Sequence, residues 1–406
     1  MAVHSLTRLA GSAAGKGDRS RLVVLTDDFA VGPLGMAIAK AFPLFSRKNG
    51  SSKNDKDLHI SFVKPDGSLV DDSQELEAAQ VAAKGVQLAA RLVDSHPELL
   101  TTSQFAKEVR GLVEEHPGVT MTEIVGEELN KKGYGGVYGV GKGANCPPRM
   151  VILEYDGSNG DGNAETVALV GKGIVYDTGG LSLKTRAGMS GMKHDMGGAA
   201  GMVGGFFSAV ELKVAKKVTC ILCLAENAIG PDSFRNDDIL TLYSGKTVEV
   251  NNCDAEGRLV LGDGVAHATK HIENLNLVVD MATLTGAQLV ATGKKHAGIL
   301  CNTPEIEDRA MKAGLHSGDL CYPLLYAPEL LMDEFKSDVA DMKNSVKDRS
   351  NAQTSCAGHF IEAHLDEKYE GEWLHVDMAG PGTNGARGTG YGVGLVLSLL
   401  EAPGFK

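Results

Sequence analysis

An α/β fold is what this sequence predicts: a central mixed β-sheet flanked by helices, preceded by a smaller α/β unit. Two observations carry that expectation. Beyond about residue 150, apolar runs of strand length alternate with helical patterns. Ahead of them, a long Ala- and Leu-rich helical stretch follows a shorter strand–helix–strand pattern.

The elements follow in order. Residues 21–26, RLVVLT, are an apolar run of strand type, and GPLGMAIAKAFPLF reads as a helix that stops at Pro43. The segment 46–56, SRKNGSSKNDK, is polar and turn-rich and predicts an exposed loop. LHISFVKPDG alternates like a strand and ends in a turn. Residues 74–94 space Ala and Leu at helical period until His96-Pro97, and a second helix starts near Thr102 with Ser103 as its cap. This divides the chain into a front α/β unit (1–80), a linking helix (81–100) and a main domain (101–406). In the main domain MVILEY, TVALVG, GIVYD, KVTCILCLAEN, KTVEV, LNLVVDMATL and AGILC read as strands. GGAAGMVGGFFSAVELK and GRLVLGDGVAHATKH read as helices between them.

The 406 residues carry a net charge of −12, which disfavours a general nucleic-acid binder because phosphate neutralisation needs a Lys/Arg surplus. No apolar run reaches the length of a membrane span. The first twenty residues lack the apolar core of a secretory signal; a short transit peptide is the minor reading of their Arg and Ser. Seven scattered cysteines fit a reducing cytosol. Glycine is the outlier, with 51 residues that imply tight turns and close backbone approaches.

Several motifs fail on detail. GVYGVGKG at 136–143 places Gly143 where a phosphate-binding loop needs a hydroxyl, and SGKT at 244–247 lacks the earlier glycine. Cys220 and Cys223 form a C-x-x-C inside an apolar strand and read as two buried thiols. HFIEAH at 359–364 matches no zinc-protease pattern and reads as an ordinary helix segment.

Two clusters remain. In VGKGIVYDTGGLSLKTRAGMSGMKHDM a strand carries Lys172 and ends at Asp177, with Lys184 and Asp195 following. In EVNNCDAEGRLVLG, Asp254, Glu256 and Arg258 follow a strand at intervals of two. Solvated salt bridges explain the first cluster taken alone, and an N-cap explains Asp254. Together the four carboxylates at two strand ends suit a pair of divalent metals, with Mg, Mn or zinc as candidates, that activate water and polarise a carbonyl or phosphoryl oxygen.

At these residues the sequence resembles the cytosolic leucyl aminopeptidase family, the M17 metallopeptidases. The family octapeptide N-T-D-A-E-G-R-L appears at 252–259 with Cys253 in the Thr position. VGKGIVYDTGG, Lys184, MKHDMGGAA and ATLTGA (282–287) match further blocks in order. ADMKNS and AGHFIEAHL resemble the animal leucine-aminopeptidase-like branch, and similarity runs from about Ala41 onward.

The resemblance implies a main domain that is catalytic and hydrolyses N-terminal residues, Leu-like ones preferred. Lys172, Asp177, Asp195, Asp254 and Glu256 match the ligands of two divalent metals, with Asp177 and Glu256 bridging. Zinc is the first candidate, with manganese, cobalt or magnesium as alternatives. Lys172 is then expected to have its pKa depressed by metal and burial. Lys184 matches the catalytic lysine, and Arg258 matches the arginine that holds bicarbonate as general base. Met192, Thr283, Leu284 and Gly286 match substrate-binding positions. Peptides with a free N-terminus are the implied partners, with a cytoplasmic homo-hexamer and neither membrane nor nucleic acid. Residues 1–80 are short for the family's N-terminal domain, as though its first part were absent. The alternative is a catalytically inactive scaffold of the same fold; the intact set of site residues weighs against it. A phosphatase is disfavoured because Lys172 is an odd ligand outside this family.

Overall fold

The computed structural model describes residues 19–25, 31–49 and 57–405. The N-terminal residues 1–18 and the 50–56 part of the expected loop lie outside the described residues.

One eight-stranded sheet organises the chain. Its strands run, edge to edge, Cys321–Pro323, Ala297–Cys301, Glu372–Asp377, Leu277–Ala282, Thr166–Asp177, Lys217–Asn227, Arg149–Asp156 and Val119–Val125. The four in the middle are parallel. Antiparallel neighbours flank them on both sides, so the sheet is mixed as expected. Parallelism brings four strand ends, Asp177, Asn227, Ala282 and Asp377, to one edge, where α/β sheets place ligands.

Both faces of the sheet are covered, which is why its strands read as almost unbroken apolar runs. Along Lys217–Asn227, Cys220, Leu222 and Leu224 enter one core, with the helices Ser73–Asp94, Gly197–Glu211 and Val393–Leu399. Ile221, Cys223 and Ala225 enter the other, with Gly257–His271 and Gln353–Glu362. Cys220 and Cys223 therefore lie on opposite faces, as two separate buried thiols.

At the front, Arg19–Leu25 and Asp57–Val63 pair in parallel, joined through the helix Val31–Ala39, which ends before Pro43 rather than at it. The helix Ser73–Asp94 is capped by Asp72, whose side chain accepts from the Gln74 and Glu75 amides. It packs against both Val31–Ala39 and Gly197–Glu211. Thr101, not Ser103, caps the next helix, because its side chain accepts from Gln104 N.

Other expectations change in register. TVALVG and GIVYD are one strand, Thr166–Asp177. Gly171 does not interrupt it: a β-carbon there would stand 2.6 Å from the Cα of Ala199, so glycine marks helix-on-strand approach. GVYGVGKG falls largely in the short helix Gly135–Gly141. KTVEV contributes only Thr247–Glu249, in a separate three-stranded sheet with Ile239–Thr241 and Met342–Lys343. The strands Val119–Val125 and Glu372–Asp377 were not anticipated.

Candidate metal centre and active site

The site grows from the C-terminal edge of the sheet. Lys172 points from its strand toward the helix Gly257–His271, whose first residue is glycine because any side chain there would collide with the lysine tail. Beyond Asp177 the chain reverses through Gly179 (φ 82°) and Gly180 (φ 58°), left-handed conformations that favour glycine. This turn brings Lys184 back beside the strand end. Asp195 precedes the helix Gly197–Glu211, and Glu256 precedes Gly257–His271.

The side chains converge. Lys172 Nζ lies 2.8 Å from Asp195 Oδ1 and 3.0 Å from Glu256 Oε1, and donates to the Thr283 carbonyl at 3.2 Å. Lys184 Nζ lies 2.7 Å from Asp177 Oδ2 and also pairs with Asp254 Oδ1. Asp177, Asp195 and Glu256 are all buried and each offers a carboxylate oxygen within 4.8 Å of the others. Thr283 Oγ donates to Asp195 Oδ1 at 2.9 Å.

Four carboxylates here share two ammonium groups, and the charges register it. Burial pushes Lys172 down, but Asp195, Glu256 and Asp177 outweigh it and hold the ammonium above the usual lysine value. The expected depression of Lys172 is thus absent from the protein's own charges and needs metal charge. Lys184 is raised in the same way against its burial, by Asp177 and Glu256. Burial and then Glu256 push Asp177 up to about 6, against both lysines. Burial raises Asp195 well above the carboxylate range. Glu256 goes the other way: Lys172 and Lys184 overcome its burial and lower it.

A metal fits these residues. Asp195 Oδ2 and Glu256 Oε2 are buried without a hydrogen-bond partner among the described residues, which is costly unless a cation takes them. The cluster is rich in oxygen donors, as divalent cations require. Arg258 is buried, its Nε and Nη1 likewise without partners, and burial pushes its guanidinium down to about 10. Such donors suit a small anion.

The remaining expected residues border this group. Met192 lies in the 3-10 turn Met192–His194 that leads into Asp195. Leu284 follows Thr283 and donates its amide to Asp377 Oδ1 at 3.1 Å, while Gly286 opens the helix Gly286–Ala291 and is exposed. Cys253 is buried, its Sγ 3.2 Å from Asn236 Oδ1.

Three supporting residues escape a reading of sequence alone. Asn227 donates from Nδ2 to Asp177 Oδ1 (2.8 Å) and to the Cys253 carbonyl (3.0 Å), joining the two clusters. Asn344 accepts from the amides of Asn251 and Asn252 and donates to the Asn252 carbonyl, so it shapes the loop before Asp254. Asp377 holds the Leu284 amide and the hydroxyls of Thr285 and Thr354. Asn227 and Asn344 do stand in recognisable places, one at the end of an apolar strand and one in ADMKNS.

A buried lysine–carboxylate cluster at the edge of a mixed α/β sheet is a site that can hold divalent cations, as metal-dependent hydrolases do. Comparison with known proteins makes the assignment particular: the chain belongs to the cytosol aminopeptidase family, whose catalytic-domain model matches residues 87–397. It is 47% identical over 403 residues to the mouse (Mus musculus) protein called probable aminopeptidase NPEPL1, covering 98% of this chain and 76% of that one. The apo leucyl aminopeptidase of Trypanosoma cruzi superposes with a TM-score of 0.91 at 48% identity, over 99% of this chain and 78% of that one. The leucyl aminopeptidase of Trypanosoma brucei, solved in complex with bestatin, gives 0.89 at 44% identity, over 97% and 76%.

Proposed function

We propose that this aminopeptidase removes N-terminal residues, Leu-like ones preferred, at a centre of two divalent metals. The observation that carries the reading is the convergence of Asp177, Asp195 and Glu256 in one buried group with unsatisfied oxygens. Lys172, Asp177, Asp195, Asp254 and Glu256 are the residues that would hold the ions. Bound zinc, or manganese, cobalt or magnesium in its place, supplies Lewis-acid polarisation of a carbonyl and a water of lowered pKa.

The chain's own residues do the rest. Lys172 must give up its proton to serve as a ligand. Lys184 keeps its ammonium beside the strand end, where it stabilises negative charge developing on the scissile carbonyl oxygen. Arg258, through Nε and Nη1, would hold bicarbonate, which would supply a general base there. Thr283, Leu284, Gly286 and Met192 border the pocket for the first side chain. Peptides with a free N-terminus are the substrates. The bestatin complex of the Trypanosoma brucei relative supports a peptide-like occupant.

A homo-hexamer in the cytoplasm completes the proposal, supported by the family resemblance and by seven free cysteines. Among the described residues no helix is long and apolar enough to cross a membrane.

The test is cleavage of aminoacyl amidocoumarins by metal-stripped protein with Zn, Mn, Co or Mg restored. The proposal expects metal-dependent cleavage, strongest on leucyl substrates and abolished in Glu256→Ala and Lys184→Ala. Folded protein without metal-dependent cleavage contradicts the activity. Cleavage that survives Glu256→Ala contradicts the assignment of the site.

A further inference from the structure

The turn Met192–His194 is held from outside the metal cluster by a latch that the catalytic reading leaves unused. Lys193 Nζ donates to the carbonyl of Asp94, at the C-terminal end of the helix Ser73–Asp94, at 2.6 Å. The Asp94 side chain is itself buried. Its Oδ2 accepts from Arg387 Nη1 at 2.8 Å and its Oδ1 from the Gly388 amide at 2.8 Å. Arg387 also donates to the Phe45 carbonyl at 2.7 Å. A lysine on the last carbonyls of a helix is favourably placed against its dipole.

Met192 and Asp195, on either side of Lys193 in the chain, are not equally secured. Asp195 has anchors of its own in Lys172 and Thr283. Met192 follows Gly191, a left-handed residue at φ 99°, and its carbonyl accepts the Asp195 amide at 3.2 Å. Release of Lys193 therefore frees Met192 more than Asp195.

We propose that Lys193 is a positioning residue for the substrate's first side chain, latching the turn that carries Met192 onto the end of the helix Ser73–Asp94. Asp94 and Arg387 hold the other side of the latch. The inference rests on the reading of Met192 as a border of the side-chain pocket. It makes side-chain selectivity depend on a helix outside the metal cluster, with metal binding independent of the latch.

The test uses the full chain as Lys193→Met, Lys193→Arg and Arg387→Met, the last at an exposed side chain. Hydrogen exchange is read on the metal-free protein at the amides of His194 and Asp195. It should accelerate about tenfold or more in Lys193→Met, less in Arg387→Met, and return to the parent rate in Lys193→Arg. In metal-replete protein, KM for a leucyl amidocoumarin should rise about tenfold in Lys193→Met with kcat within about twofold. KM for the alanyl substrate should move less than about threefold, and metal content should be unchanged.

Unchanged exchange in folded Lys193→Met overturns the latch. So does faster exchange with an unchanged leucyl-to-alanyl KM ratio, or equal losses on both substrates together with lost metal. Should Lys193→Met not fold, the same outcomes in Arg387→Met decide. Absence of metal-dependent cleavage in the parent is a different failure, of the catalytic proposal, and leaves the exchange result standing.

Discussion

A β-carbon on Gly257 would stand 2.6 Å from the Nζ of Lys172: the helix that follows Glu256 begins directly on the buried lysine. Lys172 has no room to yield, because Asp195 and Glu256 hold its ammonium within 3.0 Å. Gly257→Ala should therefore cost about 1–3 kcal/mol by overpacking, despite alanine's better helix propensity. Denaturation measures the loss, and elemental analysis should show bound metal reduced together with activity.

Arg258 is the test of the anion. Its buried Nε and Nη1 lack partners among the described residues, and Arg258→Met removes both donors. A kcat loss of about 100-fold is expected, comparable to losing a preorganised donor. Added bicarbonate should stimulate the parent and leave the variant unmoved, as read from initial rates across a bicarbonate series.

Acid stability should report on His364. It is fully buried, with Ser244 Oγ 2.7 Å from its Nδ1, and burial pushes its pKa down to about 3. The unfolded chain takes up that proton near pH 6.5, the native chain only near 3. Stability from this histidine is thus complete above pH 6.5 and is lost as the pH falls toward 3. The slope approaches about 1.4 kcal/mol per pH unit. Denaturation of parent and His364→Gln between pH 7 and pH 4 should show the variant losing less on acidification.

The strand that ends at Asp377 rests on a buried ionic group. Asp280 pairs with His375 Nδ1 at 2.5 Å and accepts from Trp373 Nε1 at 2.9 Å, all fully buried. Burial pushes His375 down, but Asp280 outweighs it and raises the imidazole above its ordinary value. Removing one partner leaves the other charge uncompensated, so Asp280→Ala should cost about 3–5 kcal/mol. Trp373 is the only tryptophan, and its emission should follow the unfolding directly.

This same group explains what the sequence concealed. EWLHVD does not look like a central strand, because its Trp and His face a partner, Asp280, that only the fold brings near. The helix Gly257–His271, by contrast, coincides with GRLVLGDGVAHATKH, an apolar-rich run of helical length whose last turn carries Lys270 and His271. Lys172 and Asp177 on their strand, and Asp195, Asp254 and Glu256 just ahead of helices, were legible as candidates because residue type and chain position are both written in order. Asn227, Asn344 and the Lys193–Asp94 bond were not, because their partners lie 26 to 99 positions away. The glycines at 171 and 173 misled in the opposite sense, dividing one strand into two because close helix approach and a turn use the same residue.

The buried carboxylate–lysine group is proposed as a two-metal peptidase centre. Equilibrium dialysis of metal-stripped protein against zinc or manganese, paired with leucyl-amidocoumarin cleavage on the same samples, tests it most directly. About two ions per chain are expected, with activity that appears with them and loss of both in Glu256→Ala. Full activity in metal-free protein, or undiminished metal and activity in Glu256→Ala, would contradict it.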